Sequence, residues 1–229
     1  MRIIIGEDIR QRCPEMTGAA VLASVKNTET NEALWTEIDH FIEDYRLRYT
    51  PDSIKLMPSI EATREAYKRC GKDPSRYRPS GEALVRRTLK GHDLYHVSTL
   101  VDLINLASIR YGYSIGGFDA DKIHGECLTL GIGREGEPYE GIGRGPLNIQ
   151  GLPVYRDEEG GIGTPTSDHE RTKLSLQTTR LLAIVNGYDG NRAETLACAQ
   201  FIQELLSRYA ESDGGEIILF SANDSTLVP

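Results

Sequence analysis

No run in this 229-residue chain approaches the roughly 20 consecutive apolar residues that a membrane-spanning helix requires. The opening Met1-Arg2-Ile3-Ile4-Ile5-Gly6-Glu7 is apolar only briefly, so it lacks the core of a secretory signal and reads as an edge strand. Cysteine is sparse: Cys13, Cys70, Cys127 and Cys198 are scattered, with no C-x-x-C pair. That spacing excludes a disulfide framework and the common zinc folds, and it fits small buried thiols in a reducing cytoplasm. A Walker loop and an H-E-x-x-H helix are missing too, so neither cofactor nor metal is expected. Positive charge is in deficit, with 26 Lys and Arg against 34 Asp and Glu and a net charge of −8. A polyanion can then be held only where cations are gathered locally. One gathering exists in Arg76, Arg78, Arg86, Arg87 and Lys90, preceded by Lys68, Arg69 and Lys72. On charge alone it is either a phosphate-binding surface or a solvated helix face.

What is present suffices for one α+β domain with a sizeable core. Residues 18–26 read as a strand. Leu34, Trp35, Ile38, Phe41, Ile42 and Tyr45 recur at helical spacing and predict a helix over 31–47, capped by Thr30 or Asn31. A second helix is expected from Ser59 to Cys70, stopped by Gly71. A third starts at Ser80, whose hydroxyl would cap it, and ends at Gly91. A fourth, Ser98 to Tyr111, is apolar almost all round and therefore buried, which singles out Asp102 and Asn105 on it. From Ser114 to Tyr188 short apolar runs alternate with glycine: Cys127–Ile132, Gly141–Ile142, Leu147–Ile149, Pro153–Tyr155 and Leu181–Tyr188 predict short strands. A last helix spans Arg192–Tyr209, followed by a strand at Glu216–Phe220. The expected organisation is a strand–helix extension over 1–60 packed on the core, a body over 61–221, and a tail over 222–229.

Three motif matches carry little. Gly131-Ile132-Gly133-Arg134-Glu135-Gly136 fits G-x-G-x-x-G, but a turn with Glu137 and Pro138 follows where a dinucleotide site needs a helix N-terminus. His92 and His96 are four apart without further ligands at convincing spacing. Ser167-Asp168-His169 holds the three triad residue types, yet consecutive residues do not converge on one point. The run Gly160-Gly161-Ile162-Gly163-Thr164-Pro165-Thr166-Ser167-Asp168 is different. Its glycines permit close approach of a ligand to the backbone, and its hydroxyls both donate and accept. An ordinary long hairpin is the alternative.

Several blocks, in one order over about residues 70–190, resemble the editing domain of the phenylalanyl-tRNA synthetase beta subunit. They are Pro74–Ser80 with Glu82-Ala83-Leu84 and Arg86-Arg87; Leu100–Asn105; Gly116–Ile123; Gly136-Glu137 with Tyr139–Gly143; and Thr164–Asp168 with Arg171-Thr172. The resemblance is to free-standing B3/B4-type domains and implies two packed, mostly antiparallel β-sheets with flanking helices, the editing domain falling in 61–221. It implies a pocket that, in the synthetase, hydrolyses tyrosine wrongly attached to phenylalanine tRNA. Val101, Asp102 and Asn105 match the synthetase pattern V-D-x-T-N, with Ile104 in place of the threonine. The block P-L-H-A-F-D becomes Ser114–Asp119, with Gly116 where the pocket histidine stands. The carboxylate that reads the tyrosine hydroxyl is expected near Leu182–Asn186, where no Asp or Glu occurs. A site built to hydrogen-bond a hydroxyl discriminates by about 10⁴ to 10⁵, so tyrosine specificity does not carry over.

The expected substrate pocket is therefore Asn105, Gly116, Gly117, Gly163, Thr164, Thr166, Ser167 and Asp168. Asn105, Thr164, Thr166 and Ser167 would position water or ester, the glycine-rich run would offer backbone donors to the oxyanion, and Asp168 would hold the α-ammonium. No residue is assigned as catalytic. Arg76, Arg78, Arg86, Arg87 and Lys90 are the expected RNA-binding surface, and the partner is the aminoacylated 3′ end of tRNA. Three readings compete: trans-acting hydrolysis of mischarged aminoacyl-tRNA, RNA binding without chemistry, and sensing of a free amino acid. A complete ligase is not expected, because the length leaves no room for a class II catalytic core.

Overall fold

A computed structural model describes residues 1–224; of the expected tail, residues 225–229 lie outside the described residues. In chain order the elements are β1 (Arg2–Ile5), α1 (Glu7–Arg12), β2 (Thr17–Ser24), α2 (Glu32–Arg48), a short 3-10 helix (Pro51–Leu56), α3 (Pro58–Arg69), α4 (Ser80–Leu89) and α5 (Thr99–Tyr111). There follow β3 (Ser114–Asp119), β4 (Cys127–Ile132), β5 (Glu140–Gly141), β6 (Gly145–Pro146), β7 (Pro153–Arg156), β8 (Gly161–Gly163), β9 (Arg180–Gly187), α6 (Arg192–Tyr209) and β10 (Glu216–Ser221). The class is α+β.

Two four-stranded sheets carry the fold, in the orders β1-β4-β7-β8 and β10-β2-β9-β3. Every pairing in the second is antiparallel, whereas the first has one parallel pair, β1 with β4. Successive residues of a strand face opposite sides, and β2 shows what that does here. Ala19, Val21 and Ala23 pack with α2, α5 and α6 in one apolar cluster. Ala20 packs on the other side with Ile5, Leu128, Leu130, Tyr155 and Ile162 of the first sheet. The second sheet is thus the middle layer, between helices and the other sheet. Residues 1–60 do more than pack on the core as expected: β1 forms an edge of one sheet and β2 an inner strand of the other.

Local chemistry sets the helix ends. Asn31 caps α2 by accepting from the Leu34 N–H at 3.0 Å. Gly112 closes α5 in the left-handed conformation, φ +72°, where a side chain would be strained. Ser80 is not a cap, contrary to expectation: Pro79 precedes the helix, and the Ser80 N–H donates to the Pro165 carbonyl at 2.7 Å. That bond ties α4 to the Thr164–Asp168 turn. The expected strand Leu147–Ile149 does not form; Gly145–Pro146 pairs with Glu140–Gly141 instead. Ala222, at the start of the expected tail, is buried and its N–H donates to the Met16 carbonyl at 2.9 Å. Among the described residues no helix is long and apolar enough to cross a membrane.

Candidate functional site

Strand β3 decides what faces what. Ile115 and Gly117 look toward the helices, Gly116 and Phe118 toward the first sheet. On the helix side, α4, α5, the loop before α5 and the turn after β8 enclose a cavity of about 420 Å³. Asn105 lies on one wall. Gly117, Thr164, Ser167 and Asp168 lie on another, so five of the expected pocket residues share one hollow. Leu84, Val101, Ile104, Ile115 and Leu174 make most of the remaining wall apolar.

Gly116, Gly163 and Thr166 do not line this cavity. A Cβ on Gly116 or Gly163 would lie 2.6 or 2.4 Å from Cζ of Phe118, so the two glycines make room for that ring on the far side of the strand. A histidine at Gly116 would require Phe118 to move. Thr166 is buried, bonded through its hydroxyl to the Tyr67 hydroxyl at 2.8 Å and to the Tyr77 carbonyl at 2.9 Å. It anchors the turn to α3 and the loop after it. The region expected to lack a pocket carboxylate holds Asn186, which is fully engaged with the Tyr155 hydroxyl at 2.9 Å and the Ser114 carbonyl at 2.9 Å.

The Asn105 side chain makes no hydrogen bond to any described residue and is half-buried at the cavity wall. Asp102, one turn earlier, is the structural residue of the pair. Its carboxylate accepts from Trp35 Nε1 at 2.9 Å and from the Val97 N–H at 3.1 Å. Burial raises its pKa, and those donors pull the other way. His96, adjoining that loop, stacks on Trp35 with ring centres 3.5 Å apart.

Asp168 reaches across the strand to accept from the Gly117 N–H at 3.0 Å. Burial pushes its pKa up from the ordinary 3.8 to about 7, the Gly117 N–H offsetting part of the rise. The neighbouring turn is self-bonded. The Thr166 and Ser167 N–H groups donate to the Thr164 hydroxyl at 3.2 and 3.1 Å, and the Thr164 N–H donates to the Ser167 carbonyl at 3.2 Å. These three donors are spent, so the expected supply of backbone N–H groups to an oxyanion does not come from them. His169 turns away from Ser167, accepting the Arg171 N–H at 3.0 Å and lying edge-on to Tyr139, so no triad forms.

Residues 62–213, well over half of the chain, match the sequence model of a family described as the B3/4 domain. The chain is a member of the B3/4 domain family. Its cavity walls α4, α5, β3 and the Thr164–Asp168 turn all lie inside the matched span. No curated protein matches the chain. Among solved structures, an N-terminal fragment of the phenylalanyl-tRNA synthetase beta subunit from Pyrococcus horikoshii is similar over 94% of this chain, at 14% identity and a TM-score of 0.48. The chain spans 50% of that fragment.

The cations of this B3/4 domain divide into two groups. Glu82 of α4 is 2% exposed and receives Arg64 at 2.8 Å, Arg86 at 2.9 Å and Arg78 at 3.6 Å. Arg78 and Arg86 are therefore structural as well as basic. Arg76, Arg87 and Lys90 have no acidic partner among the described residues. Arg87 donates to the Asp93 carbonyl at 2.5 Å and sits over the Tyr95 ring, 4.3 Å from its centre. Lys72 is buried against the Asn148 and Gln150 carbonyls, at 2.8 and 2.6 Å, and is not a surface cation. The signal for the Glu82 node was present in the sequence, as an acid four residues from each of two arginines.

Proposed function

We propose that this B3/4 domain receives the aminoacylated 3′ end of a tRNA in the cavity between α5 and the Thr164–Asp168 turn, and hydrolyses the ester in trans. The observation that carries the reading is that Asn105, whose side-chain amide has no hydrogen bond among the described residues, and Asp168 line one hollow. The carboxylate suits the α-ammonium of an aminoacyl ester. The amide N–H suits the oxyanion that forms when water adds to the ester carbonyl. The ribose hydroxyl beside the ester orients that water. The carbon–oxygen bond to the ribose then breaks, one proton of the water passes to the ribose oxygen, and the amino acid leaves as its carboxylate with the other proton released to solvent. One well-placed oxyanion donor contributes about 3 kcal/mol to such a step.

A panel of correctly and wrongly charged tRNAs, followed for loss of the ester, tests the reading. Asn105→Ala should slow hydrolysis by about 10²-fold with circular dichroism unchanged. No ester lost above background from any charged tRNA would remove hydrolysis from the proposal.

Binding without chemistry is the second reading, and the spent N–H groups of Thr164, Thr166 and Ser167 favour it. Under either reading RNA lies along α4, which runs from the cavity residues Ser80 and Leu84 to Arg87 and Lys90. Binding should then weaken with salt, by about 0.7 in log–log slope for each single-strand phosphate contact. Substituting Arg76, Arg87 and Lys90 together should flatten that slope. A sensor of a free amino acid would show no such dependence.

A further inference from the structure

Most polar groups around the cavity are already occupied. The Ser108 hydroxyl donates to the Tyr113 carbonyl at 2.5 Å. The Thr164 hydroxyl accepts two N–H groups and donates to the Ser167 carbonyl at 3.0 Å. The Lys173 ammonium is paired with Glu170. The side-chain groups left over, among the described residues lining the cavity, are the Asn105 amide and the Ser80 hydroxyl, beside the Asp168 carboxylate, whose Oδ2 takes the Gly117 N–H while Oδ1 lies toward Gly116 and Gly163.

The position of Gly117 relates the carboxylate to the apolar wall. Its N–H is held by Asp168, and a Cβ added to it would lie 2.8 Å from Cδ1 of Ile104 and 3.1 Å from Cδ1 of Leu174. The missing side chain lets two aliphatic residues meet over the strand beside the carboxylate. An α-amino acid has the same layout, an ammonium and a side chain on one carbon. We propose that the aminoacyl group taken by this cavity has an apolar side chain, seated on Ile104, Leu174, Ile115 and Val101 with its ammonium at Asp168. The inference rests on the proposed function and adds the substrate class. A hydroxyl or carboxylate on the side chain would meet no partner on that wall and would lose its hydration for nothing.

The test uses the full chain and four stable analogues in which valine, threonine, phenylalanine or tyrosine is joined to adenosine by a 3′ amide. Binding is read by titration calorimetry. Valine and threonine differ little in shape, so their ratio isolates the hydroxyl. The valyl and phenylalanyl analogues should bind about 10- to 100-fold more tightly than the threonyl and tyrosyl ones, the range an apolar pocket achieves against an added hydroxyl. Parity or reversal in either pair overturns the apolar class and leaves the proposed function standing. Binding of none of the four overturns both. Ile104→Thr and, independently, Leu174→Thr should narrow the valine-to-threonine gap, with folding checked by circular dichroism. A folded variant of either kind that keeps the full gap would overturn the seat assigned to the side chain.

Discussion

Asp168 makes the site pH-sensitive in two opposite directions. Its pKa lies near 7 in the folded chain, against an ordinary 3.8 when unfolded, so the folded state binds more protons between those values. Stability contributed at this residue is therefore greatest at low pH and falls as pH rises from about 4 through about 7. Affinity for an ammonium should move the other way, rising over the last part of that window as the carboxyl ionises. Asp168→Asn keeps an acceptor for the Gly117 N–H and should abolish both trends, read by thermal unfolding and by calorimetry across pH. Asn105 could be singled out from sequence because an amide on a nearly all-apolar helix has few places to go. The Asp168–Gly117 bond was not legible. It joins residues 51 positions apart, and nothing in either local pattern foretells the meeting. Gly116 was legible only as a departure from a pattern; that Phe118 occupies its space follows from the pleat of β3 once the strand is known.

Helix α4 does two jobs with two sets of residues. Ser80 and Leu84 face the cavity, while Glu82 collects Arg64, Arg78 and Arg86 behind it. Removing the acid would leave three guanidiniums crowded together. The arginines keep contact with solvent, so the loss is smaller than for a wholly buried pair. Glu82→Ala should destabilise the fold by about 1–3 kcal/mol, measured by urea unfolding. Elements were legible where a period was long: α2, α5 and α6 repeat apolar residues over several turns and fall close to their expected bounds. The short strands were harder. A two-residue pairing such as β5 with β6 is set by where its turn lies, and Leu147 and Ile149 looked like strand only because they are apolar.

At the scale of the whole molecule, the layers expected of two packed sheets with flanking helices are present and the opening segment is the edge strand it reads as, while the inner place of β2 was not legible. A strand's place in a sheet depends on its partners, and β2 finds β9 and β10 more than 150 residues later. A chain beginning at residue 61 should therefore fail to fold, giving a collapsed proton NMR spectrum and no cooperative melt. The same inner position sets an order of events during synthesis. Thr17–Ser24 leaves the ribosome early, but its neighbours are Arg180–Gly187 and Glu216–Ser221, so the middle layer can close only once residue 221 has emerged. Until then an apolar strand waits without partners, and loop closure over that distance is slow. An apolar strand exposed in this way is prone to aggregate until its partners arrive.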